Sequence, residues 1–443
     1  MTSPAARSAW ARRAYTLLLR LGTPVYLARL WWRGRKEPLY RHAIGERLAF
    51  YPRGNARLPS GRARHAEGWL WLHAVSLGET RAASALIDAL RAERPGLRLL
   101  LTHGTATGCE AGRALLREGD HQTWLPYDTP GAVRRFFEHF RPAVGVLMET
   151  EIWPNQLHAA QRAGVPMVLA NARLSAKSFA RGEQLSALMR PAAARVALVL
   201  AQTESDAQRL RAGGASRVEV CGNLKFDVTP DAALLDRGRA WHAASARPVV
   251  LGASTREGEE AMLLTAWRAQ PAPRPRLLIV PRHPQRFNEV AGLVEQAGFS
   301  LARRSEWGEA IGATARAADV WLGDSLGEMP LYYALADVAL LGGSFAPLGG
   351  QNLIEAAACG CPMVMGPHTF NFAQAAELSL EAGASLREPD IGAAVARAVA
   401  LTHEAALPAY AERALAFAGA HRGAARRMAQ RIAELLKDDR APD

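Results

Sequence analysis

GGSFAPLGGQNLIEAAACGCPMVMGPH, residues 342–368, decides the fold. It reads as the end of a buried strand, a glycine-rich loop, a short helix opened by Asn352 and a second buried strand. Glycines at 342, 343, 349 and 350 allow close backbone approach. A helix start presents N–H groups and a positive dipole end to a phosphate. Glu355, in the first turn, suits a ribose diol. The segment fits a sugar nucleotide, although a βαβ turn needing glycine for geometry alone would look the same.

Outward from this loop the chain alternates. Apolar runs at 69–76, 97–105, 143–149, 165–172 and 195–203 are separated by helical patterns such as 81–94 and 131–140. The alternation pauses at 228–247, then resumes at 247–255, 276–282, 318–324, 337–344 and 362–367. Buried runs with helical crossovers indicate parallel sheets, so the expected class is α/β with two Rossmann-like doubly wound domains. The boundaries expected are 1–36 for an amino-terminal helix, 37–230 for a first domain and 245–443 for a second that includes the closing helices. Ligands of open α/β sheets gather at the carboxyl ends of strands. Polar residues crowd those ends in both halves and imply an interdomain cleft.

The 443 residues carry a formal net charge of +12, with arginine spread along the chain. No basic helix interleaved with aromatics is present to read bases, which argues against nucleic acid and favours an anionic membrane surface or substrate. Four cysteines, at 109, 221, 359 and 361, lack metal-ligand spacing, and no metal or cofactor is expected. Residues 7–36 hold eight cations and no acid. Between the cations Ala14, Leu17, Leu18, Leu21, Val25, Ala28 and Trp32 recur at helical spacing. No apolar run is long enough to span a bilayer, so an interfacial amphipathic helix is expected, against a basic helix packed on its own domain or a single-pass anchor.

Several strand-end residues carry chemistry. Glu79 either caps its helix or serves as a general base for an acceptor hydroxyl. Of Glu149 and Glu151, which straddle a threonine before a WPN helix start, one suits a cap and the other faces the cleft. Lys225 reads as an ordinary ion-pair partner or as a cation that offsets charge in the reaction. Arg282, with Arg286 four residues on, could hold a leaving phosphate, and its alternative is a solvated loop arginine.

Together RLWWRGRKEPLYRHAIGERLAFY (29–51), HAVSLGET, LPYD, METEIWPN, NARLSAKS, GNLKFD, STREGEE, VPRHPQRF, GDSLGEM and the opening block resemble, in order along nearly the whole chain, the 3-deoxy-D-manno-octulosonic acid (Kdo) transferases of lipopolysaccharide synthesis. The resemblance implies a GT-B type fold, attachment to the cytoplasmic side of the inner membrane, and inverting transfer of Kdo from CMP-Kdo to a lipid A precursor. It implies Glu79 as proton acceptor, with Glu149 and Lys225 as transition-state stabilisers. For CMP it implies Pro281, Arg282, Leu326, Gly327, Glu328, Asn352, Leu353, Ile354 and Glu355. The chain departs from the family at Gln351, where histidine is usual, and at Leu353, where proline is common. Another GT-B enzyme using a nucleotide-diphosphate sugar is the alternative, and a non-catalytic membrane scaffold that kept the fold is a more distant one.

Overall fold

The computed structural model of the chain describes residues 3–51 and 68–438. They form two compact units, residues 1–227 with 422–443, and residues 228–421.

The first unit is built on strands β1 (Leu70–His73), β2 (Leu99–His103), β3 (His121–Trp124), β4 (Val144–Met148), β5 (Met167–Ala172), β6 (Leu198–Ala201) and β7 (Val218–Val220). The order across the sheet is β3-β2-β1-β4-β5-β6-β7, and each pair is parallel. The second unit repeats the plan with β8 (Val249–Thr255), β9 (Arg276–Pro281), β10 (Leu301–Arg303), β11 (Val320–Leu322), β12 (Val338–Leu341), β13 (Met363–Met365) and β14 (Ser385–Arg387). Its order is β10-β11-β9-β8-β12-β13-β14, again parallel throughout. Both sheets change winding direction once, between β1 and β4 and between β8 and β12. Such switch points are where doubly wound sheets open a crevice.

Helices cover both faces because the central strands are apolar on both sides. Leu70, Leu72, Leu99, Val144 and Leu198 point into one layer of the first unit. Trp69, Trp71, Phe136, Phe140 and Leu169 fill the other. In the second unit Val250, Trp267, Ile279, Leu322 and Val364 form the corresponding core.

Two expected boundaries change. The stretch 228–247 is not a bare linker: it contains the helix Ala232–Ala243, which packs on Met329–Leu335 and belongs to the second unit. Gly238 makes that contact possible, since a Cβ there would lie 2.4 Å from the Leu331 carbonyl oxygen. The last helix, Ala424–Asp438, does not close the second domain but returns to the first unit. Its Ala425, Met428, Ile432 and Leu436 enter the same apolar layer as Leu86 and Leu90 of the helix Leu77–Glu93. The Asp227 carboxylate accepts the N–H groups of Gly423 and Ala425 and so holds the start of that helix.

The amino-terminal helix runs Pro4–Arg33 and opens on the Ser3 side chain, which accepts the Ala6 N–H at 3.2 Å. One side docks on the first unit. Arg12 and Thr16 bond to Asn155, Tyr26 meets Tyr127 edge-on at 5.6 Å, and Leu30 is buried. The LPYD motif anchors this region. Asp128 accepts the N–H groups of Asn155 at 3.0 Å and Gln156 at 2.6 Å, at the start of the helix Pro154–Ala163. Leu17, Leu18, Leu21, Val25 and Trp32 all face away, exposed. No helix among the described residues is long and apolar enough to cross a membrane.

Candidate active site

In the first unit the charged groups meet at the β1–β4 switch point. β1 ends at His73, and Ser76 caps the helix Leu77–Glu93. Ser-x-x-Glu has the spacing of a capping box, but the carboxylate reaches the N–H of Val75, one residue before the cap. The Ser76 hydroxyl accepts the Glu79 N–H at 3.4 Å, while the Glu79 carboxylate accepts the Val75 N–H at 2.8 Å and the Ser76 O–H at 2.9 Å. Glu79 therefore does brace the start of its helix. A carboxylate has about four lone-pair sites, so two bonds leave capacity for a substrate proton. Burial lifts its pKa above the ordinary carboxylate range, and the neighbouring Glu149 lifts it further. The Val75 and Ser76 bonds and Arg173 act the other way.

Glu149 follows β4 directly with a positive φ of 59°, a conformation L side chains seldom adopt. Its N–H is fixed to the Ala170 carbonyl at 2.9 Å, and its carboxylate accepts the Arg173 Nε–H at 2.9 Å. Lys225 lies on the short 3-10 turn Leu224–Phe226, within electrostatic reach of both Glu149 and Arg173. Burial lowers its pKa, Glu149 opposes that and Arg173 reinforces it.

Two features of this cluster go beyond the sequence reading, which leaves Glu149 and Glu151 undivided between a cap and the cleft. The first is Glu151, whose pKa burial pushes up to about 7, with Glu79 and Glu149 adding to the rise. It accepts the Trp153 indole N–H at 2.6 Å, which pulls the other way. The second is the polar relay that places Lys225. Asn171, at φ 52° beside the β5–β6 register shift, accepts the Leu224 N–H at 3.0 Å. Gln202 donates to the Asn171 carbonyl, Asn223 donates to Gln202, and Asn223 accepts the Lys225 N–H, each near 3 Å. Asn171 lies in the NARLSAKS stretch and Asn223 in GNLKFD, whereas Gln202 lies in none of the motifs quoted from sequence.

In the second unit the predicted nucleotide residues fall at or after the carboxyl ends of β9, β11 and β12. Pro281 ends β9 and Arg282 follows it with an exposed side chain. Leu326, Gly327 and Glu328 follow β11. Gly327 takes φ 79°, Leu326 is 73% exposed, and Glu328 pairs with Arg304 at 2.9 Å. Asn352 caps the helix Leu353–Ala358 by accepting the Ile354 N–H at 3.2 Å. Leu353 and Ile354 are buried beneath it, and Glu355 is half-buried in the first turn.

The glycine loop that precedes this cap is held from the other side of the switch point. Glu259, buried in the first turn after β8, accepts the N–H groups of Arg256 at 2.9 Å, Gly343 at 2.7 Å and Phe345 at 3.3 Å. A Cβ on Gly342 would sit 2.5 Å from the Ser254 carbonyl oxygen, so only glycine lets the ends of β8 and β12 pass. Arg286 is already engaged. It binds the fully buried Glu260 at 2.7 Å and Glu289 at 2.8 Å. That leaves Arg282, not Arg286, as the exposed cation of the pair.

The 3-deoxy-D-manno-octulosonic-acid transferase (kdotransferase) family model matches residues 42–228, nearly the continuous part of the first unit. A 3-deoxy-D-manno-octulosonic acid transferase of Bordetella pertussis is 48% identical over 440 residues, 96% of this chain and 99% of its own. This chain belongs to the Kdo transferase family. A Kdo transferase of Haemophilus influenzae is 35% identical over 393 residues, 87% of this chain and 89% of its own. Among solved structures, a glycosyltransferase from Rickettsia africae matches with TM-score 0.55 at 13% identity, over 84% of this chain and 98% of its own. An Anabaena protein crystallised with UDP matches with TM-score 0.55 at 16% identity, over 84% of this chain and 100% of its own. At such identities these two speak for the fold, which is of the GT-B glycosyltransferase type.

Within the Kdo transferase fold, Gln351 sits where its Nε2 lies 3.2 Å from a Cβ built on Gly343. It therefore lies against the glycine loop as a neutral amide, with a donor and an acceptor but no charge.

Proposed function

We propose that this chain transfers Kdo from CMP-Kdo to a glucosamine hydroxyl of a lipid A precursor, with inversion at the anomeric carbon. The observation that carries the proposal is Glu79, a half-buried carboxylate fixed by Val75 and Ser76, raised in pKa, at the switch point of a doubly wound sheet.

In this reading Glu79 takes the acceptor proton as the oxygen attacks the sugar, while the bond to the CMP phosphate breaks. The sugar passes through an oxocarbenium-like state. Glu149 and Lys225 stabilise that state, and the Arg173 ion pair and the Asn171–Gln202–Asn223 relay keep both in place. CMP leaves as a phosphate monoester. Arg282 and the N–H groups near Asn352 meet its charge, Glu355 takes the ribose, and the exposed 326–328 loop borders the nucleotide. Glu259 shapes the loop without touching substrate.

The acceptor is a lipid, which gives the amino-terminal helix a purpose at the cytoplasmic side of the inner membrane. Its exposed leucines, Val25 and Trp32, with Arg13, Arg20 and Arg29, suit burial at an anionic interface.

The test is incubation of the purified protein with CMP-Kdo and a tetraacylated lipid A precursor, followed by mass spectrometry. A product heavier by one or more Kdo residues is expected. Absence of such a product, with transfer from a UDP-sugar instead, would overturn the reading.

A further inference from the structure

The first unit contains a cavity of about 300 Å³ that no step of this reaction uses. Its floor is the apolar end of the sheet, Leu169 of β5 and Val199 of β6, with Val196 and Leu210. Phe179 and Met189, from the helices Ala176–Gln184 and Ser186–Ala193, cover it. The covering helix Ala176–Gln184 has no buried residue, although it lies over an apolar floor. A well-packed crossover helix would bury a stripe there.

The cavity reaches the reactive cluster. Thr150, Ile152 and Arg173 line it, and Arg173 holds the Glu149 carboxylate. The exposed lining residues Arg173, Ser178 and Arg190 mark the side that opens to solvent. The charged groups at the opening are paired, Arg173 with Glu149 at 2.9 Å and Arg190 with Glu183 at 2.5 Å, so the lining that remains is apolar. An apolar slot of this size, about twice the space that keeps a benzene ring dry, suits a stretch of alkyl chain.

We infer that this cavity seats one acyl chain of the lipid acceptor and so registers the sugar hydroxyl at Glu79. The inference rests on the proposed function, which supplies the lipid acceptor. It goes beyond that function by assigning the surface that grips the lipid.

Two variants outside the catalytic cluster test it. Ala193→Phe fills the cavity, and Phe179→Asp places a charge in its lid. Each is assayed with CMP-Kdo on the tetraacylated precursor and on its fully deacylated phosphorylated disaccharide, with heat stability and CMP binding measured in parallel. The expected result is a fall in kcat/KM of at least about tenfold on the acylated acceptor, since each methylene kept out of an apolar site is worth about fourfold. Rates on the deacylated acceptor and CMP affinity should stay near those of the unaltered protein. Equal losses on both acceptors, or no loss on either in both variants, would overturn the inference and leave the transferase reading standing. Failure of the unaltered protein to act on either acceptor would overturn that reading, and the inference with it.

Discussion

The Glu79 carboxylate accepts the Val75 N–H at 2.8 Å, folding the first turn of its helix back onto the strand end that precedes it. A side chain tied in this way has little rotational freedom left to lose when substrate arrives. The same bonds that brace the start of the helix fix the direction of this carboxylate.

Glu79→Gln keeps an acceptor oxygen for these bonds but cannot take a proton at neutral pH. Turnover should fall by about two to four orders of magnitude with the melting temperature nearly unchanged. Ser76→Ala should show the opposite balance, losing about 1 kcal/mol of stability. Near-normal turnover in Glu79→Gln would refute the general-base role.

The acid limb of the kcat/KM profile should report Glu79 above the ordinary glutamate pKa of about 4.3. Glu149 contributes to that rise. In Glu149→Gln the limb should therefore move to lower pH even as the maximal rate drops. A profile recorded from pH 4.5 to 8 that keeps its midpoint would show that the two carboxylates do not interact.

Glu151 predicts a stability effect in a defined window. Its folded pKa is about 7, against roughly 4.3 when unfolded. Between these values the unfolded chain gives up its proton first, so stability falls as pH rises. Glu151→Gln should raise the melting temperature at pH 8 and leave it unchanged at pH 4, where both states hold the proton. Calorimetry at the two pH values decides it.

Removing the Glu259 carboxylate leaves the N–H groups of Arg256, Gly343 and Phe345 without their acceptor. Glu259→Ala should cost more than about 3 kcal/mol and abolish stabilisation by CMP. Glu259→Gln, which retains one acceptor oxygen, should lose less. Thermal melts with and without CMP, and with UDP as the comparison nucleotide, measure both effects.

Leu18→Glu with Leu21→Glu places charge on the exposed stripe and alters no docked residue of the amino-terminal helix. Recovery of the protein with membranes should drop, while transfer to detergent-dispersed acceptor continues. Unchanged recovery would reject the stripe as an anchor.

The interior of each sheet could be read directly from the sequence. Ten central strands are continuous apolar runs, as burial on both faces demands. The four strands not anticipated are the four edges: β3 (HQTW), β7 (VEV), β10 (LAR) and β14 (SLR). An edge strand pairs on one side only and faces water, so its short polar sequence resembles a loop. Glu79 was visible because a strand end, a capping serine and a glutamate fall within a few residues. The Glu259 brace was not, because its partners Gly343 and Phe345 lie more than eighty residues away and are backbone groups with no side-chain signature. The destination of the last helix was hidden for a similar reason: its apolar stripe shows that it packs, but not on which sheet.

Because the helix Ala424–Asp438 completes the apolar layer of the first unit, residues 228–421 are an insertion between two parts of one body. During synthesis the inserted unit has all its strands before the helix Ala424–Asp438 is made. The first unit must wait, its Leu86–Leu90 surface uncovered, until residues 424–438 emerge. A stop codon near position 420 would thus damage the half of the enzyme that was made first.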